Sequence, residues 1–509
     1  MTGRQRSLLL RDTRVVPLTG DEDTGVGEPV DVLVVDGEVT EVGPDLERPT
    51  GVEEVAAQGR WLLPGLWDQH VHLGQWTLSQ QRVDTSLLRS PEHAVALVGD
   101  LVATAPGRPV IGFGHRPGAW PREATVAELD AVSGVTPVVL IAGDAHHAWL
   151  NSVALAALGL GQRDDVVREN EWFAAYEVLS DLVGGGGTSP GHYRQSIEAA
   201  AARGIVGMVD FEFSGGADDW RERWAAGCDL VRIRMATYSG RLEEVIAAGL
   251  RTGDPLVEGD GRLVMGPLKI ISDGSLNTRT AWCCEPYADG DSLEHPSGAA
   301  NLPAHELQAM HARAHMSGLE VATHAIGDAA VTAALDAYAA TGARGSLEHA
   351  QLIAAADVHR LAELDLRASV QPAHLIDDRD LTELIWPGRA ERCFAFRWMY
   401  DAGVRVLLGS DAPVAPLDPW LAMAAAVHRS GDARDPWHPE HALTVREALA
   451  ASTGEQPSVR RWSRGDLVLL DHDPLAVVPG ETSAEAALRL RGTQAALTVV
   501  DGGIVHRAL

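Results

Sequence analysis

Lysine is nearly missing from this 509-residue chain: its 42 basic residues are 41 Arg and the single Lys269. Cysteine is scarce too, four in all, with Cys283 and Cys284 adjacent and Cys228 and Cys393 isolated. That count excludes a disulfide framework, and the lack of any CxxC spacing argues against a thiolate zinc site. No apolar run reaches the roughly 18 to 20 residues that would cross a bilayer. The opening MTGRQRSLLLRDTRVV lacks the apolar stretch of a secretory signal, so a cytoplasmic location is expected. Positive charge is the minority, 42 basic against 71 acidic residues, a formal net charge of −29. Such a balance repels nucleic acid and anionic membranes and excludes both as partners. Aromatics make up 5% of the chain, and 14 of them are Trp, which are assigned to core and pocket lining.

A bias that exchanged Lys for Arg everywhere else makes the surviving Lys informative. Surface positions tolerate either cation, so a position that keeps Lys needs what Arg cannot do. An ammonium can lose its proton and become a nucleophile, whereas a guanidinium stays protonated.

Length suits one large core plus a smaller domain. Residues 1–61 read as short strands with turns, Asp36-Gly37 being a hairpin signal. The far end, 456–509, repeats that texture in GDLVLLDHDP and ALTVVDGGIVHRAL. Both ends together are expected to build one small β-domain. Between them, 62–455 alternates apolar strands with Ala/Leu-rich helices, the signature of repeated βα units around a parallel sheet. An insertion is expected around 115–200. GGGGTSPG (184–191) reads as a loop, either an active-site lid or ordinary surface.

Polar residues recur at the strand ends. In LLPGLWDQHVHLG, His70 and His72 lie two apart, which puts both on one face of a strand. Lys269 sits inside the apolar strand of LVMGPLKIISDGSLNTRTAW, where an unpaired ammonium is costly, so it must pair, deprotonate or be modified. VATHAIGD ends a strand with His324, GSLEHAQL with His349, and VLLGSDAPVAP places Asp411 just past another. Catalytic residues of a βα barrel gather at such C-terminal strand ends. Two imidazoles on one face can chelate a cation, and imidazoles with a carboxylate suit Zn2+. His311 and His315 are four apart on a helix but lack the Glu of an HExxH site, and GSDAP is not a nucleophile elbow.

With LPGLWDQHVHL, GDAHHAWLNSVAL, LKIISDGSLNTRTA, VATHAIGDAAVTAALDAY, LEHAQLI, ASVQPAH and LLGSDAPVAPLDPW in hand, the chain resembles the amidohydrolase superfamily. The likeness is to its family 3 group, similar to N-substituted formamide deformylase. It implies a distorted (β/α)8 TIM barrel plus a small β-sandwich formed from both chain ends. It implies metal ligands at His70, His72, Lys269, His324, His349 and Asp411. The divalent metal is Zn2+ by default, one ion, or two if Lys269 is carboxylated and bridges them. Asp411 is the expected proton shuttle. His146, Asp273 and Gln351 are the substrate-side candidates. The expected activity is hydrolysis of a C–N bond in a small molecule. The alternatives are cyclic amide or imide opening, deamination or ester cleavage on the same scaffold, and a non-catalytic assembly protein. A homodimer is the default oligomer.

Overall fold

The computed structural model describes residues 6–19, 27–183, 188–213, 215–432, 434–476 and 478–509, so part of the 184–191 loop, and with it the lid reading, lies outside the described residues. Eight parallel strands form the centre: β1 (Leu66–Val71), β2 (Ile205–Asp210), β3 (Arg232–Thr237), β4 (Asp260–Ile271), β5 (Val321–Ala325), β6 (Gly345–His349), β7 (Arg367–Val370) and β8 (Arg405–Leu408). Each pairs with the next in chain order. The barrel closes where β8 returns to β1: the Asp411 N–H donates to the His70 carbonyl at 2.7 Å and the His72 N–H to the Ala412 carbonyl at 2.9 Å. Every residue of β1, β2, β5 and β6 is buried, as expected for strands covered on both faces.

Helices return the chain between strands. The helix Ala304–Met316 buries Leu307, His311 and Ala314, a one-sided apolar stripe that packs before β5. His311 is a core residue, 3.0 Å from the Thr323 hydroxyl, while His315 is exposed. The two rings therefore lie in different surroundings, one in the core and one at the surface. Among the described residues no helix is long and apolar enough to cross a membrane.

The two chain ends meet in one β-domain of eight strands. Trp61–Pro64 pairs antiparallel with Leu467–Leu470, joining the N-terminal strands to the C-terminal ones. Strand Leu8–Val15 serves both leaves: its first half pairs with Glu53–Ala56 and its end with Trp61–Leu62, across a register shift. Leu8, Leu10, Val34, Leu62, Leu469 and Val499 share the core between the leaves. The hairpin expected at Asp36-Gly37 is present, with φ of 50° and 83°, and Asp501-Gly502 repeats it with 55° and 77°. Two successive positive φ values fit the type I′ turn, whose twist matches the flanking strands.

A separate five-stranded sheet, from Val83–Asp84 to Val167–Arg168, is inserted between β1 and β2. It starts upstream of the residue-115 edge expected from sequence, because a two-residue strand leaves no periodicity to read. Its loops reach the mouth of the barrel.

Candidate active site at the barrel mouth

Three local devices aim side chains into the mouth. His70 and His72 share a face because strand side chains alternate. Asp411 follows β8 in a left-handed conformation, φ 57°, with its carboxylate 3.3 Å from His72 Nε2 and 3.4 Å from His70 Nε2. Gly409 permits that approach, because a Cβ there would stand 2.7 Å from the His70 nitrogen. Buried Asp68 ties the same seam, accepting the N–H groups of His70 and Ser410, each at 3.0 Å. His349 ends β6 with φ 69°, which breaks the alternation. As a result both Glu348 and His349 reach the barrel interior.

Glu348 is the part that the sequence reading missed. It is 1% exposed, and His70 Nδ1–H donates to its carboxylate at 2.8 Å. This fixes the His70 tautomer and leaves Nε2 as a lone pair pointing at the site. Lys269 Nζ lies 3.2 Å from that Nε2 and 4.3 Å from the centre of the Phe211 ring. Burial lowers the Lys269 ammonium to about 8 despite the pull of Glu348 and Asp411.

His324 and His349 stand with ring centroids 4.5 Å apart. His324 Nε2 faces the Gly274 carbonyl at 3.2 Å and Asp273 at 3.4 Å. Burial, reinforced by Lys269, drives His324 down to about 3, and burial drives His70 and His349 well below the usual imidazole range. These rings are neutral donors at physiological pH. Burial opposes ionisation of Asp411, but His72 overcomes it and holds the carboxylate below its ordinary range.

Two triads have mutually close donor atoms: His70, His72 and Asp411, and His349, His374 and Asp411. His374 was not among the residues singled out from the sequence, although ASVQPAH ends on it. It opens the helix His374–Ile385 rather than ending a strand, with Nε2 3.7 Å from Asp411. His324 belongs to neither triad but adjoins the same cluster through His349, as Lys269 does through His70. The buried Nδ1 atoms of His72 and His349 and Nε2 of His374 have no hydrogen-bond partner. Buried polar atoms are almost always satisfied, so the orphaned His374 Nε2 beside Asp411, together with the close-set donor atoms of the two triads, fits a cation.

The cluster floors a cavity of about 250 Å³. His146 lines it from the inserted sheet, with Nδ1 3.0 Å from Glu169. Burial would lower His146, but Glu169 prevails and raises it to about 9. Gln351 also lines the cavity and donates to Asp378 at 3.0 Å. Asp273 differs from these two. It is fully buried, and its carboxylate accepts the N–H groups of Trp282, Ile326 and Gly327 at 2.9 to 3.1 Å. It anchors the loop after β4 and positions His324.

The chain matches a family model described as "Amidohydrolase family" over residues 53–506. It is 29% identical to Protein LONG AFTER FAR-RED 3 of Arabidopsis thaliana, over 85% of this chain and 78% of that one. It is 25% identical to N-substituted formamide deformylase of Arthrobacter pascens, over 92% and 94% of the two chains. Among solved structures, a metal-dependent hydrolase from Pyrococcus horikoshii aligns with a TM-score of 0.75 at 24% identity, covering 92% of this chain and 98% of that one.

Proposed function

Because the chain belongs to the amidohydrolase family, we propose that it hydrolyses a carboxamide or related C–N bond of a small molecule with one or two divalent cations, Zn2+ by default. The observation that carries this reading is the set of close-lying imidazole donors of His70, His72, His349 and His374 around Asp411. His70, His72, His324, His349 and Asp411 would hold the cation, with His374 as an added candidate. A cation there supplies Lewis acidity towards a carbonyl oxygen and acidifies the attacking water.

The protein groups do the rest. Asp411, ionised and within 3.7 Å of three imidazoles, accepts the proton of the attacking water and returns it to the leaving nitrogen. Glu348 holds His70 in the tautomer that offers Nε2. Lys269, with basicity reduced by burial, can add CO2 through its free amine, losing one proton to form a carbamate. An Arg could not do so, which accounts for the survival of one Lys. Phe173, Tyr176, Phe213 and Tyr238 give the cavity aromatic walls.

The reading is tested by a hydrolysis screen of metal-reconstituted protein against N-formyl amines, N-acyl amino acids, cyclic imides and aryl esters. Metal-dependent turnover of an amide is the expected result. Turnover of aryl esters alone, with no C–N substrate cleaved, would overturn it. The formamide arm has a particular motive in the likeness to a formamide deformylase.

A further inference from the structure

Nearly every carboxylate lining the cavity already faces a basic side chain of the protein. Asp144 faces His147 at 3.4 Å, Asp377 faces Arg116 at 2.8 Å, Asp411 faces His70 and His72, and Glu177 is exposed to solvent. Arg116 and His146 are occupied in turn, Arg116 by Asp377 and the Val414 carbonyl and His146 by Glu169.

Asp378 is the exception. It lies one turn into the helix His374–Ile385, lines the cavity and is 7% exposed. Its partners are two neutral amides, Gln351 Nε2 at 3.0 Å and Asn277 Nδ2 at 3.5 Å. Among the described residues it forms no ion pair. A carboxylate has about four lone-pair directions, and two amide hydrogens leave the others free. A buried carboxylate without a cation is costly, and a cationic ligand group would relieve that cost. The cavity that it lines also carries Phe173, Tyr176, Phe213 and Tyr238, with the Phe213 ring stacked on His72. These faces suit an apolar body and tolerate a cation.

Building on the hydrolase reading, we propose that Asp378 recognises a protonated amine on the substrate, remote from the scissile bond. The substrates are then amides that carry an apolar body and a second, cationic nitrogen. Burial raises Asp378 to about 7, so an incoming ammonium also favours the ionised form. Asp378 acts in binding and not on the reacting atoms, so its effect falls on KM.

The test pairs N-formyl diaminoalkanes, which end in an ammonium, with N-formyl alkylamines of equal length. In kcat/KM the wild type favours the ammonium partner by about 10- to 100-fold, the range of a charge-assisted hydrogen bond. In Asp378→Asn that ratio falls to near one, through a raised KM for the ammonium substrate. A ratio near one in the wild type, or an unchanged ratio in Asp378→Asn, overturns the proposal. A second measurement needs no variant: calorimetric binding of hexylammonium and of hexanol to the wild-type holoenzyme. Tighter binding of hexylammonium supports the site, and equal binding refutes it. Because this arm needs no turnover, a failed hydrolase reading, seen as no amide turned over at all, is distinguished from a failed amine site.

Discussion

Asp411 is within reach of three imidazoles, His70, His72 and His374, and is held ionised at neutral pH. Asn has nearly the same shape but cannot accept a proton. Asp411→Asn should therefore lower kcat by about 10² to 10⁴, the usual worth of general acid–base catalysis. The fold and most of the metal should be kept through the imidazoles. A kcat within a few-fold of wild type at equal metal content would leave Asp411 as a turn residue. Lys269 allows a separate measurement, because its amine is 3.2 Å from His70 Nε2 and is distinct from the imidazole and carboxylate donors. If it is carboxylated and bridges two ions, Lys269→Ala binds about one metal fewer per chain after identical reconstitution. Equal metal content with activity retained removes the bridge. At this scale the sequence was partly legible: single His, Lys and Asp residues at strand ends announced themselves. Glu348 did not, because strict alternation turns it away from its neighbour His349, and only the φ of 69° at His349 brings both inward. Asp378 and His374 were hidden for a related reason, since they sit on a helix where a strand-end pattern has nothing to say.

The element that matters most is the seam between β8 and β1. No ladder joins the two strands directly, and a few backbone bonds around His70, His72, Asp411 and Ala412 close it. The alternation of βα units was visible because barrel strands buried on both faces read as continuous apolar runs. The inserted sheet was less visible, for its strands of two to six residues carry too little pattern to separate from loop. Gly409 sits in the seam with room for hydrogen only on the side facing His70. Gly409→Val should push β8 away from β1 and disturb both His70 and Asp411. The expected result is a lower metal content and lost activity, with far-ultraviolet circular dichroism that still shows the barrel. Full metal loading in that variant would mean the seam absorbs the side chain, and the account of its closure would be wrong.

On the scale of the molecule, the β-domain is fastened to the underside of the barrel by charge as well as by packing. Arg232 of β3 reaches Asp466 at 2.6 Å, and Asp466 is 1% exposed and also accepts the Asp501 N–H. Removing one partner of a buried pair strands the other, so Asp466→Ala should cost about 3 kcal/mol, read as a shifted urea midpoint. Asp501, 3.3 Å from Arg232, softens the loss, and Asp466→Ala combined with Asp501→Ala should exceed the sum of the singles. Strictly additive losses would mean that the two carboxylates do not share the Arg. The joining of the two chain ends carries a further consequence, in time rather than in energy. Arg60 bonds to Asp471, 411 positions later, and the neighbouring strand Trp61–Pro64, paired on one edge with Leu8–Val15, finds the partner for its other edge in Leu467–Leu470. During synthesis the early strands must wait, edge exposed, until almost the whole chain has left the ribosome. A nascent chain arrested before Leu467 should therefore be the aggregation-prone and chaperone-bound form of this protein, even with every residue of the mouth already made.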